Sequence, residues 1–151
     1  MTGPSPRAVD GSGLEVLSHG ECLALLSSAE IGRIVFTDRA LPAVQPVAFC
    51  LDEGHIVIRT GAGSKLAAAT RRTVVAFEAD DFDLASRTGW SVTAVGQSRA
   101  VHEEAELARL AELPLRPWAP GDGDHYIVVR IEQVSGRRIT PAPSSTAASL
   151  T

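Results

Sequence analysis

Gly89-Trp90-Ser91-Val92-Thr93-Ala94-Val95-Gly96-Gln97-Ser98-Arg99-Ala100-Val101-His102 carries Trp90, Val92, Val95 and Val101 along one unbroken stretch and reads as a single long strand. Gly96 stands in its interior. A residue without a side chain weakens a strand there and is found where the chain bulges or bends sharply. A long strand bent in its middle is what a closing barrel needs, so this stretch predicts a small antiparallel barrel rather than an open sheet.

The flanking segments agree. Thr73–Glu78 is a strand, and Asp80, Asp81 and Asp83 after it are expected in a solvated acidic turn. Ala43–Leu51 and His55–Thr60 are strands joined by Asp52-Glu53-Gly54, which has the length and the glycine of a hairpin loop. Val47, Phe49 and Leu51 share one face, and Pro46, lacking an N–H, predicts an edge or a locally unpaired position. Gly32–Thr37 is a further strand, turned by Asp38–Pro42. Ser18-His19-Gly20-Glu21 matches a capping box ahead of an apolar stripe of Leu17, Cys22, Leu25 and Leu26, predicting a helix over 18–28. Downstream come a helix over 103–112 with Ala105, Leu107, Ala108 and Leu110 for burial, a Trp118-bearing loop over 114–124, and a last strand over 126–138. The expected fold is mainly β, a six-stranded antiparallel barrel with peripheral helices over 14–140. A flexible arm of residues 1–13 and a disordered tail of 141–151 flank it, because both are rich in small and polar residues.

Composition narrows the function. A formal net charge of -4 leaves no basic surplus for a nucleic-acid backbone. No apolar run approaches the ~20 residues that span a bilayer, and the N-terminus lacks the pattern of a signal sequence. A cytoplasmic protein is expected, with Cys22 and Cys50 as buried thiols, although nothing in the sequence excludes a disulfide.

Arg59-Thr60-Gly61-Ala62-Gly63-Ser64-Lys65-Leu66 leaves the strand 55–60 through a glycine-rich turn into a short helix over 64–70. Helix-start N–H groups, Ser64 and the cations Arg59 and Lys65 would cradle a phosphate or carboxylate. Spacing alone is met more simply by Ser64 capping a helix with both cations in water. Other chemistries lack their residues. The second His of a zinc helix is replaced by Glu106, and His19, His55 and His125 are scattered. No serine has nucleophile-elbow framing, and the Gly-Lys-Ser/Thr order of a nucleoside-triphosphate loop is missing. No metal is expected, and no acid or base is marked as catalytic.

Together with Ala76-Phe77-Glu78-Ala79-Asp80, Gly89-Trp90-Ser91-Val92, Pro117-Trp118-Ala119-Pro120-Gly121 and Val134-Ser135-Gly136-Arg137-Arg138, this stretch resembles the pyridoxamine 5'-phosphate oxidase-like flavin-binding split-barrel family over residues 15–140. The resemblance implies a homodimer with FMN in grooves between subunits. Arg59, Ser64 and Lys65 would hold the FMN phosphate, flanked by Thr60 and Leu66. Gln45, Pro46 and Val47 would line the flavin, with Ile58 beneath, and Trp90, Ser91 and Val92 would come from the partner subunit or the groove wall. Without the resemblance Trp90 reads as core. The oxidase's own substrate-binding basic and histidine residues are not recognisable, so an oxidoreductase acting on an undetermined small molecule is implied rather than vitamin B6 oxidation. A deazaflavin coenzyme is the rival cofactor, with Arg71 and Arg72 as cations for its acidic tail. A non-enzymatic flavin carrier or sensor is the rival of a different class.

Overall fold

A computed structural model describes residues 8–61, 66–67, 71–116, 123 and 125–141. Among them are seven strands and two helices: β1 (Glu15–Val16), α1 (His19–Ser28), β2 (Ile31–Asp38), β3 (Leu41–Asp52), β4 (His55–Thr60), β5 (Thr73–Asp83), β6 (Thr88–Ala100), α2 (Glu104–Ala111) and β7 (His125–Ile139). The strands pair antiparallel in the order β1-β7-β4-β3-β2-β5-β6, and β6 returns to β7, so β2 to β7 close into a ring. The chain is a mainly β split barrel. To the six expected strands the structure adds β1, whose pairing of Glu15 with Arg138 and Val16 with Arg137 prolongs the sheet beyond the ring.

Inward-facing residues of every ring strand meet in one core, among them Ile34, Phe49, Ile58, Phe77, Val92 and Ile127. Phe49 and Phe77 stack edge to face with centroids 4.6 Å apart. The predicted capping box of α1 is present, with Ser18 Oγ accepting from the Glu21 N–H and the Glu21 carboxylate accepting from the Ser18 N–H. Cys22 and Leu26 of α1 lie fully within the barrel core, so the helix closes one barrel end. Leu66 and Ala67 are helical and buried, and Leu66 joins the same core. The remainder of the helix expected over 64–70 lies outside the described residues.

Two tight turns join β2 to β3 and β3 to β4. Glu53 and Gly54, with φ of 51° and 79°, make the two-residue loop between β3 and β4, the left-handed pair of a tight hairpin. Arg39 and Ala40 do the same between β2 and β3. Pro46 pairs with Arg33 of β2, while β4 joins β3 only from Phe49 onward. Its missing N–H therefore falls where, among the described residues, β3 has no strand on its other side.

Three expectations need correction. Asp80, Asp81 and Asp83 are not in a turn: β5 runs on to Asp83 and pairs with β6 as far as Asp83 opposite Thr88. Ladder pairing decides the conformation there, and the carboxylates remain at the surface or half-buried. In α2, Ala105 and Ala108 are exposed, and the helix buries Leu110 and part of Leu107 in a second, outer cluster with Ala48, Val57, Tyr126 and Val128. The outer face of β3, β4 and β7 is thus apolar as well, which a simple inward alternation along Ile127, Val129 and Ile131 does not anticipate. That alternation also breaks. Val95 pairs with Gln133 but Gly96 with Ile131, so Glu132 is an extra residue on β7 and Val134, not Gln133, turns back toward the core. Gly96 marks the bulge, and the inserted residue lies on the strand opposite.

From Ala8 on, the N-terminal segment is attached to the barrel. Ala8 accepts from the Val16 N–H, Val9 bridges Glu15, and the Asp10 carboxylate accepts from Arg137 Nε at 2.9 Å. Arg138 lies 3.6 Å from carboxylates of both Glu15 and Glu21. Arg137 and Arg138 of β7 therefore tie the N-terminal segment to the last strand. Residues 1–7, the tail from 142 and Trp118 lie outside the described residues. The cysteines are free; Cys22 is buried, Cys50 half-buried, and burial pushes both thiols upward, which suits inert packing groups.

Candidate functional site

β3 and β4 bring two of the expected groups together. Phe49 pairs with Ile58, so continuing the antiparallel register sets Val47 toward Thr60 and Pro46 toward Gly61, where β4 ends. Pro46 is exposed, Gln45 half-buried, and Val47, Ile58, Thr60 and Leu66 are buried. Val47, Ile58 and Leu66 belong to the barrel core, so they form a floor rather than a surface. Arg59 points outward. Its Nε donates to the Gly123 carbonyl at 2.8 Å, an Nη group reaches the Leu115 carbonyl at 3.5 Å, and its guanidinium lies 5.7 Å from the Tyr126 ring centroid. Arg59 is thereby oriented by the chain that follows α2. Ser64 and Lys65 lie outside the described residues.

Trp90, Ser91 and Val92 are elsewhere. From Pro46 the ladder runs through Arg33 of β2 and Glu78 of β5 to Thr93 of β6, three strand spacings or roughly 14 Å away. Val92 is buried, and Trp90 is half-buried against the core opposite Arg138. Val92 thus shares the barrel core with Val47, Ile58 and Leu66, while Ser91 lies three strands round the ring from Pro46.

The ladder between the two groups carries a charged cluster and an apolar stripe on its outer face. An Arg33 Nη nitrogen lies 3.2 Å from carboxylate oxygens of both Glu78 and Asp80. Burial, then the hydrogen bond and charge of Asp80, push the Glu78 carboxyl up to about 7, against the opposing pull of Arg33. The folded chain therefore binds a proton that the unfolded chain releases near 4.5, and stability from this group is lost as pH rises toward about 7. Glu78→Gln is expected to match the parent's urea midpoint at about pH 5 and to exceed it at about pH 8. An offset that is the same at both pH values would show that Glu78 titrates as an ordinary carboxylate. Beside the cluster, Val44, Val35, Ala76 and Val95 stand in one row across β3, β2, β5 and β6. Val44 and neighbouring Val74 are 63% and 58% exposed.

A further feature lies on the outer face of β4, β7 and β6, beside the start of α2. Two cavities of about 560 and 550 Å³ share Arg72 and Arg99. His55, Arg130 and Gln97 line one, and Arg71, His102, Glu103 and Glu106 the other. Sequence reasoning singled out Arg71 and Arg72; Arg99 and Arg130 join them through pairing, Gln97 with Arg130 and Arg99 with Val128. Nearby, burial and then the charges of His102 and Arg71 hold the His125 imidazole below its usual range. No grouping of His, Cys, Asp and Glu suited to a metal ion occurs among the described residues, and none of their helices is long and apolar enough to cross a membrane.

Comparison with known proteins places this architecture. The family model described as pyridoxamine 5'-phosphate oxidase matches residues 18–138. The uncharacterized protein Rv0080 of Mycobacterium tuberculosis is 39% identical over 146 residues, covering 92% of this chain and 95% of its own. An FAD-binding protein of Mycobacterium smegmatis superposes with a TM-score of 0.71 at 37% identity, over 82% of this chain and 97% of that one. A Corynebacterium glutamicum protein, provisionally named a pyridoxamine 5'-phosphate oxidase, gives 0.74 at 31% identity, over 84% and 98%. The barrel, its order of strands and these matches agree: the chain belongs to the pyridoxamine 5'-phosphate oxidase family of flavin-binding split barrels.

Proposed function

We propose that this protein is a homodimeric flavin-dependent oxidoreductase acting on a small molecule. The observation that carries the reading is the β3–β4 register, Phe49 with Ile58, which carries Val47 and Pro46 toward the end of β4 at Thr60 and Gly61. The residues present fit a flavin. Pro46 offers an exposed apolar surface, Gln45 an amide for the ring's polar edge, and Arg59 a cation at the outer rim. A bound flavin would supply hydride or electron transfer. Arg59, Ser64 and Lys65 would hold its phosphate, flanked by the buried Thr60 and Leu66. The core residues Val47 and Ile58 would keep water from the underside. No side chain of this chain is assigned as acid or base.

The 37% identical FAD-binding protein favours the dinucleotide over the FMN expected from sequence. Dimerisation is supported by the exposed Val44 and Val74 beside the outer row of Val35, Ala76 and Val95.

The absorbance of purified protein tests the cofactor. The paired visible bands of a flavin, or their appearance as colourless protein is titrated with FAD or FMN, is the expected result. A single deazaflavin band, or no binding of any of the three, would overturn it. Bound flavin that no nicotinamide donor reduces would instead favour a carrier or sensor.

A further inference from the structure

We propose that the arginine trough beside α2 is a second anion site, separate from the candidate flavin groove, and that it takes the phosphate groups of a diphosphate-bearing ligand. Its two joined cavities are lined by Arg71, Arg72, Arg99 and Arg130 together with His55 and His102, against the carboxylates Glu103 and Glu106. Both Glu106 oxygens are engaged by Arg99, at 2.7 and 2.8 Å, which fixes that guanidinium. No hydrogen bond or ion pair to a described residue engages the side chains of Arg71, Arg72 or Arg130. Cations concentrated in one trough repel one another, and a chain of net charge -4 does not need them for solubility. An anion relieves that repulsion.

Two details of the backbone point the same way. Arg72 has φ of 46°, a left-handed conformation uncommon for a residue with a side chain, just before β5. The β7 bulge at Glu132 lies beside Arg130, and bulges re-aim neighbouring side chains. His55 adds a buried Nδ1 that meets no partner among the described residues while the ring lines the cavity. Guanidinium forks suit phosphate oxygens in pairs, and the volume accommodates more than one phosphate.

The trough is not the rim of the candidate flavin groove. His55 and Arg59 share the outer face of β4 but stand four residues apart, about 13 Å along the strand. Arg59 meets the chain after α2, whereas the trough borders the start of α2 through Glu103 and Glu106. The phosphates could belong to the adenylate half of a bound FAD or to a separate phosphorylated molecule; the chemistry of the site is the same.

Inorganic pyrophosphate titrated calorimetrically into the full chain is the test. Saturable binding is expected, weakened about tenfold in Arg72→Gln/Arg130→Gln and unchanged in Arg33→Gln, whose arginine lies on another face. Absence of binding to the parent protein overturns the proposal, and so does equal affinity in the double variant. Should the double variant not fold, Arg130→Gln alone is read the same way. Repeating the titration on protein saturated with FAD or with FMN separates the sources. Loss with FAD alone assigns the trough to the cofactor's own second phosphate, and persistence with both assigns it to another ligand. A chain that binds pyrophosphate but no flavin would sink the flavin reading and leave this one standing.

Discussion

Gly96→Ala is expected to destabilise the fold by about 3 kcal/mol, the upper end of what forcing a carbon into a packed interior costs. A β-carbon at this position would overlap the Arg130 carbonyl oxygen and stand 2.7 Å from the carbonyl carbon. The obstacle is backbone, so no rotamer change relieves it. Nor can Arg130 withdraw easily, because it pairs with His55 of β4 on one side and Gln97 of β6 on the other. Moving it would disturb the register of three strands at the bulge where the ring closes. Urea unfolding should show a much lower midpoint. Gly20→Ala, in α1 with nothing within 4 Å of the added carbon, should be neutral or stabilising by about 0.5–1 kcal/mol. Equal midpoints for the two variants would mean that β7 shifts freely and that the bulge does not fix the closure.

The elements that the sequence makes legible are those whose local chemistry and tertiary pairing agree. His55–Thr60 is bounded by Gly54 and Gly61, and its observed limits are those expected. The capping box and the glycine at the bend of β6 were readable because each residue type has one strong structural use. β1 was not legible, since two residues carry no periodicity and their strand partners Arg137 and Arg138 lie at the far end of the chain. The run from Ala79 to Asp83 reads as a loop because aspartate disfavours strands, yet β6 lies alongside and pairing prevails. Burial of Tyr126 and Val128 on the outer face follows from α2 docking there, a contact that no local pattern encodes. At the site, the neighbours Gln45–Val47 and Arg59 were accessible through a hairpin of short reach. The trough was not, because its cations come from segments near positions 72, 99 and 130 and meet only through the ring.

Arg59→Ala combined with Lys65→Ala should weaken flavin binding at least tenfold, and about a hundredfold if each contact to the phosphate has the usual worth of a charge-assisted hydrogen bond. The FMN phosphate, like the diphosphate bridge of FAD, carries close to two negative charges, so the site must return what the anion loses on leaving water. Arg59 is placed to do so at low entropic cost, because bonds to the Gly123 and Leu115 carbonyls and the face of Tyr126 already restrict its guanidinium. That same role complicates a single Arg59→Ala variant, which would also release the chain after α2. Lys65→Ala is therefore the cleaner measurement, and thermal unfolding of each variant separates loss of the anion contact from loss of order. Fluorescence quenching of added FAD and FMN reads the affinity. Raised salt should weaken parent binding more than binding to the double variant, because screening acts only on charges that are present. Affinity unchanged in all three variants would remove Arg59 and Lys65 from the cofactor site and move the search for the phosphate to the arginine trough.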